Sequence, residues 1–406
     1  MTNAVFLSRP AIISSLGCGV DEHIEALLAS KDDYLTANDR WVPEKKFLYG
    51  AVNLPLRQFP ADLNPDLHSR NNQLLWQALA QIDEDIHSAI AEYGADRIGI
   101  VLGTSTTGAD ENLVAFKQGF STGNWANSSF NQAKQLLSSP ADFVADIYGL
   151  SNVHYGISTA CTSGARALIS AARLLRLGVC DAVICGGVDT LSHLTINGFN
   201  ALNVLSPRRS QPFTAMRDGI NIGEAACIFI MTRDPVKGLP LLGYGCSSDA
   251  YHMSSPRPDA LGARKAIRQA LEQANISADV IGWVNLHGTG TEQNDAMEAL
   301  AIHAELGEQI SCASTKPLTG HTLAAAGALE AAFLWIVVSK QINKAGYLPH
   351  HRACSELDPA LPLIYLTRYR EQFSNDSARI ALSTSFAFGG NNTALIIGSN
   401  YEYPDL

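Results

Sequence analysis

Short apolar runs alternate along the chain with amphipathic stretches. RIGIVLGTS (97–105), CDAVICGGVD (180–189), ACIFIMTR (226–233), IGWVNLHGT (281–289) and RIALSTSFAFGG (379–390) have the pattern of strands buried on both faces of a parallel sheet. Between them, SGARALISAARLLRLG (163–178), ALGARKAIRQALEQANI (260–276) and NDAMEALAIHAELG (294–307) repeat apolar positions at helical spacing. This alternation predicts an α/β fold with helices covering the sheet faces. No stretch reads as a flexible linker. RDPVKGLP (233–240), where one strand ends before another begins, divides the chain into 1–235 and 236–406. Each part carries strands and helices in similar order, which points to a duplicated fold. The Ser/Asn-rich GFSTGNWANSSFNQAKQLLSSP (119–140) reads as an insertion decorating the core.

With 406 residues the chain exceeds the usual size of one core, which suits a duplicated architecture. Hydrophobic residues make up 46% and charged residues 17%, a balance that folds throughout. The net charge of -10 argues against an extended electropositive surface, and so against nucleic acid or anionic lipid as partner. The N-terminal apolar run contains Arg9 and Pro10 and lacks the charged start of a secretory signal. No later segment supplies the ~18 uninterrupted apolar residues of a membrane span. These features predict a soluble cytoplasmic protein without membrane insertion. The eight cysteines, at 18, 161, 180, 185, 227, 246, 312 and 354, form no CxxC pair and no cysteine–histidine cluster at zinc spacing. No metal is expected, and most of these cysteines read as small buried hydrophobes.

Four segments carry candidate chemistry. HYGISTACTSGARALISAARLLRLG (154–178) places Cys161 after an apolar run and at the start of a helix. Unpaired N–H groups and the positive end of the helix dipole favour a thiolate there, and thiolate is the nucleophile. Ser163 and Gly164 let the backbone turn sharply and approach a bound group. VNLHGTGTEQNDAMEA (284–299) brings His287 out of a buried strand into a Gly/Thr-rich turn, where its ring can face a cavity. CASTKPLTGHTLAAAGALEAAFLWIVV (312–338) sets Lys316 and His321 around a Pro–Gly turn that opens a nearly all-apolar helix. Polar groups on the rim of a helix too apolar to be exposed imply a desolvated site. STSFAFGGNNTALII (383–397) puts two aromatics beside a Gly–Gly pair, which frees backbone N–H groups to point at a ligand. Each segment alone also has a bland reading as packing or as a tight turn. Together, the four are hard to explain as packing.

The spellings STACTSGA, NLHGTGTEQND, STKPLTGHTLAAAGALEA and SFAFGGNN, with SSDAYHMSSP at 247–256, resemble the elongating β-ketoacyl-[acyl carrier protein] synthases of fatty acid, polyketide and aryl polyene pathways, within the thiolase superfamily. The resemblance implies a duplicated thiolase-like fold layered α-β-α-β-α, with the nucleophile in 1–235 and the two catalytic histidines in 236–406. It implies that Cys161 is the acylated nucleophile and that His287 and His321 complete a Cys–His–His triad. Lys316 and Glu298 match the family's buried charged pair. Phe388 matches the gating phenylalanine, whose N–H joins that of Cys161 in an oxyanion hole. Arg208 matches an arginine that contacts the carrier protein, and Arg70 extends that patch. The chain departs from the family's FGFGGTN at Ala387 and Asn391, and Ala387 is expected to stiffen the gating loop. Thr106 stands where the family has a bulky residue at the pocket floor, which would reshape the acyl tunnel.

The reaction so implied is decarboxylative condensation of an acyl thioester on Cys161 with a malonyl thioester. No cofactor is expected, because phosphopantetheine enters as part of the acyl carrier protein. The expected assembly is a homodimer, or a heterodimer with a chain-length-factor-like subunit. A chain-length factor itself lacks the active cysteine, and a degradative thiolase needs a second cysteine motif that is not seen around Cys312 or Cys354. A cysteine hydrolase needs water access and a Cys–His–Asn/Asp set, and a scaffold has no reason to activate Cys161.

Overall fold

In the computed structural model, which describes residues 4–125, 129–353, 356–374 and 377–399, the apolar runs form strands and the amphipathic stretches form helices. The first half contributes β1 (Phe6–Leu7), β2 (Ala11–Ser14), α1 (Arg70–Leu79), β3 (Ile98–Gly103), α2 (Ser139–Tyr148), β4 (His154–Ile157), α3 (Ser163–Arg176), β5 (Ala182–Asp189) and β6 (Ala225–Thr232). The second half adds β7 (Leu239–Ser248), α4 (Leu261–Ala274), β8 (Trp283–Asn285), α5 (Glu292–Leu306), β9 (Ser311–Ala313), α6 (Ala326–Val338), β10 (Tyr365–Leu366), β11 (Ile380–Ala387) and β12 (Asn391–Gly398).

The duplication is visible in the strand order. In the first half β4, β3 and β5 run parallel, and β6 and then β2 add antiparallel. In the second half β9, β8 and β11 run parallel, and β12 and then β7 add antiparallel. The runs expected to be uniformly parallel therefore belong to mixed sheets: ACIFIMTR is antiparallel to β5, and β11 is antiparallel to β12. Period and hydrophobicity are alike for buried strands of either direction. β1 pairs antiparallel with both β6 and β7 and joins the two sheets. Residue 236 falls in the short turn Pro235–Lys237 between β6 and β7.

Side-chain alternation along the strands separates the layers. On β6, Cys227, Phe229 and Met231 face an inner core with α3 and α6, while Ala226 and Ile228 face an outer core with α1 and α2. On β12, Leu395 and Ile397 face the same inner core, while Ala394 and Ile396 face α4 and α5. The result is five layers, α-β-α-β-α. Every residue of α6 is buried because sheets lie on both sides of it, so it needs no polar face. Gly164 and Gly327 let α3 and α6 approach: a Cβ on Gly164 would lie 2.8 Å from Ala328 N, and one on Gly327 would lie 2.8 Å from Ala165 Cβ. Gly164 thus serves helix packing rather than approach to a ligand.

In the 119–140 segment, the helix Leu113–Thr122 and the turn Ala133–Gln135 lie over the first half and leave Phe120 and Trp125 exposed. Among the described residues no helix is long and apolar enough to cross a membrane.

Candidate active site

The turn after β4 presents the cysteine. Ala160 adopts φ 52°, and Ser163 Oγ donates to Ala160 O while accepting from Thr159 N, which draws the chain tightly into α3. Cys161 sits at this bend. Burial pushes its thiol up to about 12, with Lys316 opposing. Burial thus works against the thiolate that the helix start favours. Desolvation of the whole site outweighs one helix end.

His287 follows β8 in a turn clasped by one carboxylate. Its N–H donates to Glu298 Oε1 at 2.7 Å and the Gly288 N–H donates to Oε2 at 2.7 Å, while Thr384 Oγ1 also donates to Oε1. His321 follows β9, with its N–H donating to Asn221 O at 2.6 Å. The Leu323 N–H donates to His321 Nδ1 at 3.2 Å, so the neutral ring carries its proton on Nε2. That Nε2 is 2.9 Å from Cys161 Sγ. The two imidazoles are 5.3 Å apart at 87°, and burial, then Lys316, holds both well below the ordinary histidine range.

Lys316 is placed beside the triad, but its ionic partner differs from the expected Glu298. Lys316 Nζ bonds Glu330 on α6, and both groups are buried. Glu298 instead holds the His287 turn. Burial pushes the carboxyls of Glu298 and Glu330 up to about 7. Glu330 was legible in principle: a carboxylate inside LEAAFLW has no exposed face and requires a cation.

Donor atoms of Cys161, His287 and His321 lie within 4.8 Å of one another, a grouping able to surround a metal ion. The Leu323 N–H opposes that use, because it commits the Nδ1 lone pair of His321 and leaves Nε2 protonated toward the sulfur. The triad lines a cavity of about 410 Å³ whose apolar residues include Phe199, Leu202, Ile220, Phe386 and Phe388. Phe388 is 39% exposed, with its ring 5.8 Å from Phe199. Cys312 is buried away from this cavity, and Cys354 lies outside the described residues.

Two family models match the chain: the N-terminal domain of beta-ketoacyl synthase over residues 67–235 and its C-terminal domain over residues 240–345. A ketosynthase of Xenorhabdus doucetiae, solved in complex with its chain length factor, has a TM-score of 0.91 and 40% identity over 98% of each chain. The chain belongs to the β-ketoacyl synthase family. The 3-oxoacyl-[acyl-carrier-protein] synthase 2 of Coxiella burnetii is 29% identical over 98% of this chain and 99% of that protein. A type II polyketide ketosynthase bound to a hexaketide, solved with its acyl carrier protein, is 25% identical with a TM-score of 0.80, over 98% of this chain and 99% of that one.

Thr106 takes a different place from the one expected of it in this β-ketoacyl synthase, and Arg70 gains a buried partner. Arg70 donates through Nε and Nη2 to the buried carboxylate of Glu224 while its own side chain stays 43% exposed. Thr106 is not among the cavity residues; its N–H and Oγ1 both donate to Asp189. Ala387 lies at the end of β11 opposite Asn391, and the left-handed residues of the loop are Gly389 and Gly390, so this conformation places no strain on alanine. Arg208 is about half exposed, its Nε 2.9 Å from Asp218, a residue that lines the cavity.

Proposed function

We propose that the enzyme performs decarboxylative condensation on acyl carrier protein substrates in fatty acid or polyketide/aryl polyene synthesis, with Cys161 as nucleophile. The observation that carries this reading is Nε2 of His321 lying 2.9 Å from Cys161 Sγ, its Nδ1 taken by the Leu323 N–H, with His287 beside them in the lining of one cavity. Cys161 Sγ attacks the acyl thioester, the C–S bond to the carrier breaks, and the thiol proton leaves with the carrier's pantetheine sulfur. Backbone N–H groups of Cys161 and Phe388 stabilise the oxyanion, each donor worth ~3 kcal/mol. A malonyl thioester then loses CO2. Its enolate oxygen accepts hydrogen bonds from the two imidazoles, and its carbon attacks the acyl group and expels Cys161.

Neutral rings suit this role, since they donate a hydrogen bond without a formal charge that would trap the malonyl carboxylate. The Lys316–Glu330 pair and the Glu298 clasp hold the two histidine turns. The chemistry needs no metal or organic cofactor, because the pantetheine arm arrives on the carrier. Arg208, on a chain of net charge -10, offers local attraction to an acidic carrier. The 40% identity to a ketosynthase solved with its chain length factor, against 29% to the Coxiella synthase, favours a heterodimer with a chain-length-factor-like subunit over a homodimer. The reaction is placed in the cytoplasm.

The test is Cys161→Gln, whose side-chain carbonyl imitates the acylated cysteine without being nucleophilic. With radiolabelled malonyl carrier protein the variant is expected to release CO2 at or above the wild-type rate, yet to form no β-ketoacyl product. Condensed product from the variant would refute the nucleophile assignment.

A further inference from the structure

Asp189 closes β5, is fully buried, and takes no part in the steps above. Its Oδ1 accepts from Thr104 Oγ1 at 3.0 Å, from the Ser105 N–H at 2.8 Å, and from the N–H and Oγ1 of Thr106, each at 2.9 Å. Its Oδ2 accepts from Ser105 Oγ and from the Ala324 N–H, the latter at 2.8 Å. Donors converge on both oxygens from every side, the surroundings of a carboxylate. Burial pushes the group upward from its ordinary value and these donors oppose it.

All but one of the donors come from the turn after β3. The remaining one, Ala324, belongs to the other half of the molecule, in the turn Leu323–Ala325 that leads from His321 into α6. That turn holds Leu323 at φ 54°, a conformation unfavourable for any residue with a side chain. The same Leu323 supplies the N–H that reaches His321 Nδ1. A strained turn persists only where its surroundings hold it. Asp189 grips the next peptide, helped by the positive end of the α6 dipole. Activation of the sulfur does not explain this carboxylate, because its negative charge disfavours a thiolate at Cys161.

We propose that Asp189 is a positioning residue for the condensation. By clamping Ala324 it keeps the Leu323 N–H on His321 Nδ1, and so selects the tautomer whose Nε2–H faces Cys161 and the forming enolate. This rests on the function proposed above. The clamp spans the two halves, so the geometry of a histidine in the second half depends on the end of a strand in the first.

Enzyme labelled with 15N-histidine reports the tautomer directly by NMR. Wild-type His321 is expected to carry its proton on Nε2. In Asp189→Asn the amide oxygen stays with the two fixed N–H donors of Ser105 and Thr106, the NH2 turns toward the Ala324 N–H, and the turn is released. The expected result is a mixture of tautomers at His321, with kcat for malonyl carrier protein decarboxylation falling at least about tenfold and KM unchanged. Thr106→Val removes a donor from the same carboxylate but leaves the link to Ala324, and is expected to keep the single tautomer. A wild-type proton on Nδ1 would overturn the proposal, and so would Asp189→Asn with unchanged tautomer and kcat, or Thr106→Val with the same losses as Asp189→Asn. If Asp189→Asn does not fold, the wild-type spectrum still decides, Nε2–H supporting the clamp and Nδ1–H refuting it. A wild-type enzyme unable to decarboxylate malonyl carrier protein would instead refute the condensation, whatever its tautomer.

Discussion

Lys316 and Glu330 face each other where solvent is absent, at 3% and 2% exposure, and each makes the other tolerable there. Glu330→Gln removes the anion and leaves the ammonium alone. The expected loss is about 3–5 kcal/mol, and Lys316→Met combined with Glu330→Leu is expected to recover most of it. Guanidinium unfolding of the single and paired variants measures both, and a neutral single variant would show that the pair does not support the fold. The histidines allow a different separation. His287→Ala or His321→Ala is expected to cripple malonyl decarboxylation while Cys161 is still acylated, because the rings serve the enolate rather than the first attack. Quantifying acyl-enzyme by mass spectrometry beside CO2 release distinguishes the two steps. Wild-type condensation by either variant would remove that ring from the mechanism.

At the scale of elements, the site depends on two helices that nearly touch. α3 starts just after Cys161 and α6 follows the His321 turn, so the distance between sulfur and imidazole is set by their packing. Gly164→Ala inserts a methyl group 2.8 Å from Ala328 N and 2.9 Å from Ala324 O, both backbone atoms that cannot yield alone. It is expected to cost about 1–3 kcal/mol by overpacking and to slow condensation, because the Ala324 turn must move. Thermal melts and single-turnover rates check the two effects together, and an active variant of unchanged Tm would show that the helices can separate without consequence. The left-handed positions of the gating loop are glycines, and Ala387 remains in extended backbone at the end of β11.

Over the whole molecule, acid should act through histidines buried without charge. His23 accepts from Ser14 Oγ at 2.8 Å and donates to Gly19 O at 2.7 Å, and burial pushes its pKa down to about 4. Below about 6.5 the unfolded chain binds this proton and the folded chain does not, so the stability held above that pH is lost as pH falls toward 4. The group contributes a slope of ~1.4 kcal/mol per pH unit in that window. His23→Gln removes the titration, and its unfolding free energy should fall less steeply than that of wild type between these limits. Parallel slopes in denaturant titrations at several pH values would show that His23 is not the group responsible.

Cys161, His287, His321 and Phe388 stood out as candidates because each lies in a turn beside an apolar run or helix, a local property of the chain, while their roles came from the family resemblance. The α/β class and the duplication were legible for a similar reason, since buried strands and amphipathic helices alternate in both halves, while the five layers came from the family resemblance. Strand direction was not, because hydrophobicity is the same whichever way a buried strand runs. The partner of Lys316 was settled only when α6 packed between two sheets and brought Glu330 to it, leaving Glu298 to the His287 turn. Arg70 reads as a surface cation until Glu224, far along the chain, is folded against it. The upward push on the Cys161 thiol comes from desolvation by its whole surroundings, a sum over atoms that no local stretch contains. Sequence alone thus determined which groups are the candidates for chemistry, and tertiary structure decided their surroundings and partners, because those depend on what is brought near and on how much water is left.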